Sequence, residues 1–281
     1  MDPDDKRRQA FQARWGVRDA FSALDEIKAC AQCFDVVSIC SPTALHAGHL
    51  QAVLELQPRL VFCEKPVTPT LAETAAWVAA FDAAGILFAT NHTRRWAPDV
   101  LRLKQELGRG QWGKVRSAVG VYNKGVLNNG GHMVDLLHFL LGPLSLVSAG
   151  RAVWDFWEDD PTIPALLGTV DGVPVHLSVA DARDFSFFEL QIVTEQGVIV
   201  MENGGLQWRI RRVVASPHFS GYRTLDSGES RTGEYFQAMS NAAENIHGAI
   251  LAGEALASTG RSAMAAQSLC EQIKKLSLSL S

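Results

Sequence analysis

The residues best able to do chemistry in this 281-residue sequence stand in two short runs. In the first, Glu64-Lys65-Pro66, the lysine sits beside a carboxylate and ahead of a proline. It either presents a fixed ammonium to a ligand oxygen or is a solvated surface lysine, and the residues alone leave both open. The second runs from Asn128 and Asn129 through Gly130-Gly131-His132 to Asp135 and His138, and its spacing puts His132, Asp135 and His138 near one helical face. That pattern admits a metal site, but His138 lies among Leu137, Phe139 and Leu140, so a satisfied core histidine is the better reading. His132 follows a glycine pair that lets a ligand approach closely. An imidazole there can exchange a proton near neutral pH, which makes it a candidate general base. Cys30-Ala31-Gln32-Cys33 has the letters of a redox motif without the flanking chemistry that a thioredoxin-like site needs.

Positioning these residues requires particular elements. Residues 4–15 read as a helix with Phe11 and Trp15 on one face and Gly16 as its stop. A short strand at Val17-Arg18 follows, then a second helix opened by Ser22, with Asp25 in the capping-box position. Three strand-then-helix repeats come next: 35–40, 59–63 and 86–90 are apolar strands, each leading into a helix that ends near Leu56, Ala83 and Leu107 respectively. Such alternation indicates a parallel, doubly wound sheet, whose ligands bind at the carboxyl ends of the strands. Ser41-Pro42-Thr43, Glu64-Lys65-Pro66 and Asn91 to Arg95 occupy those ends. After Gly113 the pattern changes to an alternating strand over 114–122, a helix over 130–141, successive strands over 145–212 and helices over 232–252 and 261–278. This predicts a large, open, mostly antiparallel sheet covered by helices on one face, with a boundary near residue 94 separating 1–94 from 95–281.

Composition narrows the partners. With 47 % apolar and 20 % charged residues the chain reads as an ordinary globular protein, and a net charge of −4 leaves no basic footprint for nucleic acid or an anionic membrane. A small-molecule substrate fits better. The charged start, Met1 to Arg8, runs into no apolar stretch and reads as no signal peptide, and no run approaches the roughly 20 apolar residues of a membrane helix. Five cysteines, an odd number, fit reduced thiols in the cytoplasm.

Taken in order, Asp35-Val36-Val37, Ser41-Pro42-Thr43-x-x-His46, Glu64-Lys65-Pro66, Asn91-x-x-Arg94-Arg95 and Asn128-x-x-x-His132-x-x-Asp135 resemble the Gfo/Idh/MocA oxidoreductases, the family of glucose-fructose oxidoreductase and inositol dehydrogenase. The resemblance implies a Rossmann-type first domain and NAD(P)-dependent oxidation or reduction of a sugar, sugar acid or cyclitol carbon. It implies that Lys65 hydrogen-bonds the reacting oxygen and that His132 takes its proton. Asn128, where the family often has aspartate, would orient a substrate hydroxyl with Asn129, and Arg95 would face a substrate carboxylate or phosphate. Asp2, Ser41, Pro42, Thr43, His46, Glu64, Lys65 and Asn91 would line the cofactor side. The Lys65-Pro66 peptide would be cis.

The family begins with a strand, a G-x-G-x-x-G turn and a helix, and the 281 residues contain no such run. Only Gly16 and Gly48 precede Gly85. Gly108-Arg109-Gly110-Gln111-Trp112-Gly113 has the letters but follows a helix and precedes a strand, so it reads as a helix stop and tight turn. The expectation is therefore an incomplete Rossmann-type sheet that binds NAD or NADP weakly: either the start lies downstream of the true one and the complete protein is an ordinary dehydrogenase, or the short chain is real and forms a swapped assembly. The alternative is a cofactor-free binding or regulatory relative. No metal is expected. An apolar outer face on the open sheet would need cover, which implies a homo-oligomer, dimer or tetramer.

Overall fold

The computed structural model describes residues 1–29 and 34–280, without the side chains of residues 28 and 29. The Cys30 to Cys33 motif lies outside the described residues. The chain divides into two compact units, Met1–Asn91 and His92–Ser281.

The first unit opens with α1 (Asp5–Trp15), whose ends are set by local chemistry: the Asp4 carboxylate accepts from the amides of Lys6 and Arg7, and Gly16 closes the helix at φ 64°. No residue of α1 is buried, and Phe11 and Trp15 lie against each other at the surface. The expected strand at Val17-Arg18 is absent, since those residues find no pairing partner. The entry to α2 (Leu24–Ala29) also differs from expectation: Glu26, not Asp25, accepts from the amide and hydroxyl of Ser22. The extra methylene of glutamate lets it reach back over the first turn.

From there β1 (Val36–Ile39), α3 (His46–Leu56), β2 (Leu60–Cys63), α4 (Leu71–Ala83) and β3 (Leu87–Thr90) alternate, and the three strands pair in parallel in the order β1-β2-β3. Flanked on both sides, β2 is the apolar run Leu-Val-Phe-Cys that a covered parallel strand demands. Leu50, Leu60, Val61, Phe81 and Ala89 are wholly buried around it. Thr70 caps α4 by accepting from the Glu73 amide.

In the second unit α5 (Pro98–Gly108) ends in two turn glycines, Gly110 at φ 70° and Gly113 at φ 65°, and the chain passes directly into β4 (Val115–Tyr122). The G-x-G-x-x-G letters there are a helix stop and turn. Then come α6 (Gly130–Leu141), β5 (Leu144–Ala149), β6 (Ala165–Thr169), β7 (Pro174–Val179), β8 (Phe188–Thr194), β9 (Gly197–Glu202), β10 (Gln207–Ala215), β11 (Arg223–Leu225), β12 (Glu229–Thr232), α7 (Ala238–Ala252) and α8 (Gly260–Leu278). The nine-stranded sheet runs β11-β10-β9-β8-β4-β7-β6-β5, with β12 also on β10, and β4·β7 is its one parallel pair.

Along β4 the side chains alternate: Ala118, Gly120 and Tyr122 are buried on the helix side while Val119 and Val121 are half-buried on the other. Helices α6 and α8 pack on the inner face, where Tyr122, Met133, Leu136, Leu137, Ile163 and Leu167 form the core. Gly120 is needed here, because a Cβ would stand 2.7 Å from Met133 Sδ. The expected strands over 145–212 are interrupted by an irregular stretch between β5 and β6 that holds only the isolated bridge Val153↔Thr162. The expected helix from 232 starts instead at Ala238, because the preceding residues pair with β10 as β11 and β12. The outer face is mixed rather than apolar: across the register, Val119 lies between His176 and Gln191, and Val200 between Gln191 and Arg209. Among the described residues no helix is long and apolar enough to cross a membrane.

Candidate active site

In the first unit the candidate residues stand where the three parallel strands end. Glu64 continues β2 and donates its amide to Ile39 O at 2.9 Å, while Asn91 continues β3 and donates its amide to Cys63 O at 2.8 Å. Asn91, buried, also donates from Nδ2 to Glu64 Oε1 at 2.7 Å, and Glu64 carries no further side-chain hydrogen bond among the described residues. The Lys65-Pro66 peptide is cis. Lys65 is half-buried beside it.

His46 does not line a surface as expected. It is wholly buried, with Nε2 2.8 Å from Ser41 O and Nδ1 3.0 Å from Val67 O and 3.1 Å from Pro66 O. A buried imidazole between carbonyl oxygens ties the loop after β1 to the loop after β2, so His46 positions Ser41 and Lys65 from behind. Ser41 is half-buried, and its hydroxyl lies 2.8 Å from His49 Nδ1; burial holds the His49 imidazole below its ordinary value. Pro42 is exposed and Thr43 half-buried at the start of a 3-10 turn, Thr43–Leu45. Burial, with the Glu64 charge nearby, pushes the Cys63 thiol up, which makes it a packed apolar group rather than a nucleophile. Asp2 lies ahead of α1, where its carboxylate accepts from the Asp4 amide at 2.9 Å. A carboxylate with an unused oxygen, a hydroxyl and a half-buried ammonium at adjacent strand ends fit the hydroxyl and amide groups of a nucleotide cofactor.

In the second unit β4 leads into α6 through a single π turn, Gly125–Asn129. Two carboxylates from the irregular stretch hold it. Asp160 accepts from the amides of Leu127 and Asn128, both at 2.9 Å, and Asp155 accepts from the Lys124 amide at 3.0 Å, the Thr162 hydroxyl at 2.8 Å and the Ala182 amide at 3.1 Å. Burial raises the Asp160 pKa against the opposing pull of those two amides. Gly125, at φ 89°, packs so closely that a Cβ would stand 2.1 Å from Asp160 Oδ2. Asn128 and Asn129 emerge half-buried, and Asn128 Nδ2 donates to Lys124 O at 3.1 Å. Of the glycine pair, Gly130 packs on the Tyr122 ring, while a Cβ on Gly131 would meet nothing within 4 Å.

His132 follows at half-burial, its ring edge-on to His92 with centroids 5.8 Å apart. Behind them lies a buried cluster. His92 Nδ1 is 3.3 Å from Asp135 Oδ2, and Arg95 Nε donates to both Asp135 oxygens at 2.9 and 3.0 Å. Arg95 Nη1 also donates to Ala257 O at 3.1 Å. Arg95, expected to face a substrate, is therefore turned inward as the partner of Asp135. Its neighbour Arg94 instead lines a cavity with Asn129. His138 is not a satisfied core histidine, since its buried Nε2 has no partner among the described residues and burial depresses its pKa. Among the described residues no group of three or more His, Cys, Asp or Glu side chains could hold a metal ion.

Sequence reasoning passed over Asp155, Asp160, His92 and Arg94. The two aspartates carry no local signal, because the turn they hold lies about thirty residues upstream. Arg94 and His92 stood inside a quoted motif, and only the three-dimensional turn distinguishes them from Arg95.

Residues 1–92 match the model of an oxidoreductase family with an NAD-binding Rossmann fold, Gfo/Idh/MocA. The chain is 36 % identical over 103 residues to scyllo-inositol 2-dehydrogenase (NADP(+)) IolU of Bacillus subtilis, a match covering 36 % of this chain and 30 % of that protein. It is 27 % identical over 172 residues to D-apiose dehydrogenase of Paraburkholderia graminis, covering 54 % and 44 % of the two chains. The chain thus spans less than half the length of these curated relatives. In fold it resembles an NAD binding oxidoreductase from Klebsiella pneumoniae, with a TM-score of 0.82 and 18 % identity over 100 % of this chain and 87 % of that one. Over residues 1–92, and in the ordered motifs above, the chain is thus similar to the Gfo/Idh/MocA oxidoreductase family.

Proposed function

We propose that the protein is an NAD(P)-dependent dehydrogenase acting on a hydroxyl-bearing carbon of a sugar, sugar acid or cyclitol. The observation that carries this reading is the match of residues 1–92 to an oxidoreductase family with an NAD-binding Rossmann fold. The substrates named for the relatives, an inositol and D-apiose, support the substrate class. When bound, the nicotinamide dinucleotide supplies a ring that accepts the hydride of the substrate C–H bond. Lys65 donates a hydrogen bond to the substrate oxygen and offsets the negative charge growing there, and His132 accepts the hydroxyl proton, so the carbon becomes a carbonyl. Asn128 and Asn129 orient neighbouring hydroxyls. Asparagine cannot take a proton, so the proton relay rests on Lys65 and His132. His92, itself beside Asp135, lies edge-on to the His132 ring. The chain works in the cytoplasm, and it self-associates through the outer face of its nine-stranded sheet.

The test is a fluorescence titration with NADH and NADPH followed by a dehydrogenase screen against inositols, pentoses, hexoses and their acids. Weak cofactor binding and turnover of at least one polyol at high cofactor concentration are expected, with Lys65→Ala and His132→Ala each lowering turnover by roughly a hundredfold or more. Full turnover in either variant removes that residue's role. Substrate binding without any turnover would instead identify a non-catalytic binding protein.

A further inference from the structure

The second unit holds a cavity of about 370 Å³ walled by Arg94, Asn129, Ser186, Glu189, Asn203 and Gly204, with the ring of Phe188 at its side. Arg94 is the one cation among the lining residues. Its guanidinium lies 3.9 Å from the centre of the Phe188 ring and 5.2 Å from that of Tyr235, packed against both. Nε donates to Gly204 O at 3.1 Å. Among the described residues this is the only hydrogen bond of Arg94, and no carboxylate forms an ion pair with it. Burial lowers its pKa. The adjacent Arg95 shows the contrast, with Asp135 closing on its fork.

A guanidinium that lines a cavity, with one N–H spent on a carbonyl and no carboxylate paired to it, suits a planar anion in a bidentate pair. The rest of the wall selects among anions. Glu189, whose Oε1 accepts from the Asn203 amide at 3.4 Å, adds a negative charge that a monoanionic carboxylate tolerates better than a dianionic phosphate. Glu189, with Ser186, Asn129 and Asn203, offers the mixed donors and acceptors that hydroxyl groups need. The volume suits a short chain of five or six carbons. We propose that this cavity binds the carboxylate end of a polyhydroxy acid, with Arg94 as its anchor. This narrows the substrate class proposed above to sugar acids, and it rests on that reading.

Calorimetric titration of the full chain with sodium D-gluconate, its neutral counterpart D-glucitol, and glucose 6-phosphate tests the site without nicotinamide or turnover. Gluconate is expected to bind at least tenfold more tightly than glucitol, and Arg94→Gln to erase that preference. Ser186→Asp, a change at an exposed loop position, brings a second negative charge to the wall and is expected to weaken gluconate several-fold while sparing glucitol. Equal affinity for gluconate and glucitol, or gluconate binding untouched by both variants, overturns the proposal. Tighter binding of glucose 6-phosphate overturns its choice of carboxylate. The two readings fail separately: turnover of neutral polyols without Arg94-dependent gluconate binding sinks the subsite alone. Gluconate binding with no turnover of any polyol sinks the dehydrogenase reading alone.

Discussion

Asp135 and Arg95 show what a pair of adjacent arginines can divide between them. Residues in a 3-10 turn step by about 120°, so Arg94 and Arg95, consecutive in the turn Thr93–Trp96, point to different sides. Arg95 goes inward to Asp135 and to the ring of Phe139, 4.8 Å from its guanidinium, while Arg94 goes to the cavity. A buried ion pair costs much of its attraction in lost hydration, yet removing one member strands the other. Asp135→Ala leaves the Arg95 charge buried and releases His92, so a loss of about 3–5 kcal/mol in urea unfolding is expected. The double change Arg95→Met with Asp135→Leu is expected to lose far less. Equal losses in the two proteins would show that the pair does not carry this part of the fold. The partnership of Asp135 and Arg95 spans forty residues and appears only once the 3-10 turn and α6 are packed in one unit.

At the scale of elements, the π turn between β4 and α6 is the device that sets Asn128, Asn129 and His132 in place, and it is held from outside by Asp155 and Asp160. Its two ends make opposite demands on glycine. Gly125 has both a left-handed φ and no room for a Cβ, so Gly125→Ala is expected to destabilise the protein by about 3 kcal/mol in denaturant titrations through strain and overlap with Asp160. Gly131 is helical and faces open space. Gly131→Ala is expected to leave stability unchanged or raise it by up to about 1 kcal/mol, since alanine is the better helix former. If ligands come close to Gly131, the same change raises KM while the fold gains. A stability loss at Gly131 matching that at Gly125 would contradict this account of the turn. The glycines were visible in the sequence, whereas the carboxylates that make Gly125 obligatory were not.

For the whole molecule, the wide sheet presents its outer face through Val119, Val121, Val198 and Val200 interleaved with His176, Gln191, Glu202 and Arg209. Half-buried valines framed by polar groups match the make-up of an interface better than that of a solvent face. Sedimentation velocity is expected to show a dimer or larger species, and Val119→Lys, which sets a charge at the centre of that face beside His176 and Gln191, is expected to shift it toward monomer. A monomeric wild type would remove the proposed self-association.

Local patterns determined much of this protein. The three βα repeats followed from apolar runs of strand length, the helix ends from Asp4, Gly16 and Thr70, and the candidate catalytic residues Lys65 and His132 from ordered motifs along the chain. Only tertiary structure decided which polar groups are exposed and which are committed. His46 and Arg95 moved inward because buried carbonyls and a carboxylate claimed them, while Arg94 emerged as the cation of a cavity. The division has one physical cause. Strand, helix and cap are set by neighbours within a few residues, whereas the partner of a buried polar group is chosen by whatever distant chain the fold brings within about 3 Å.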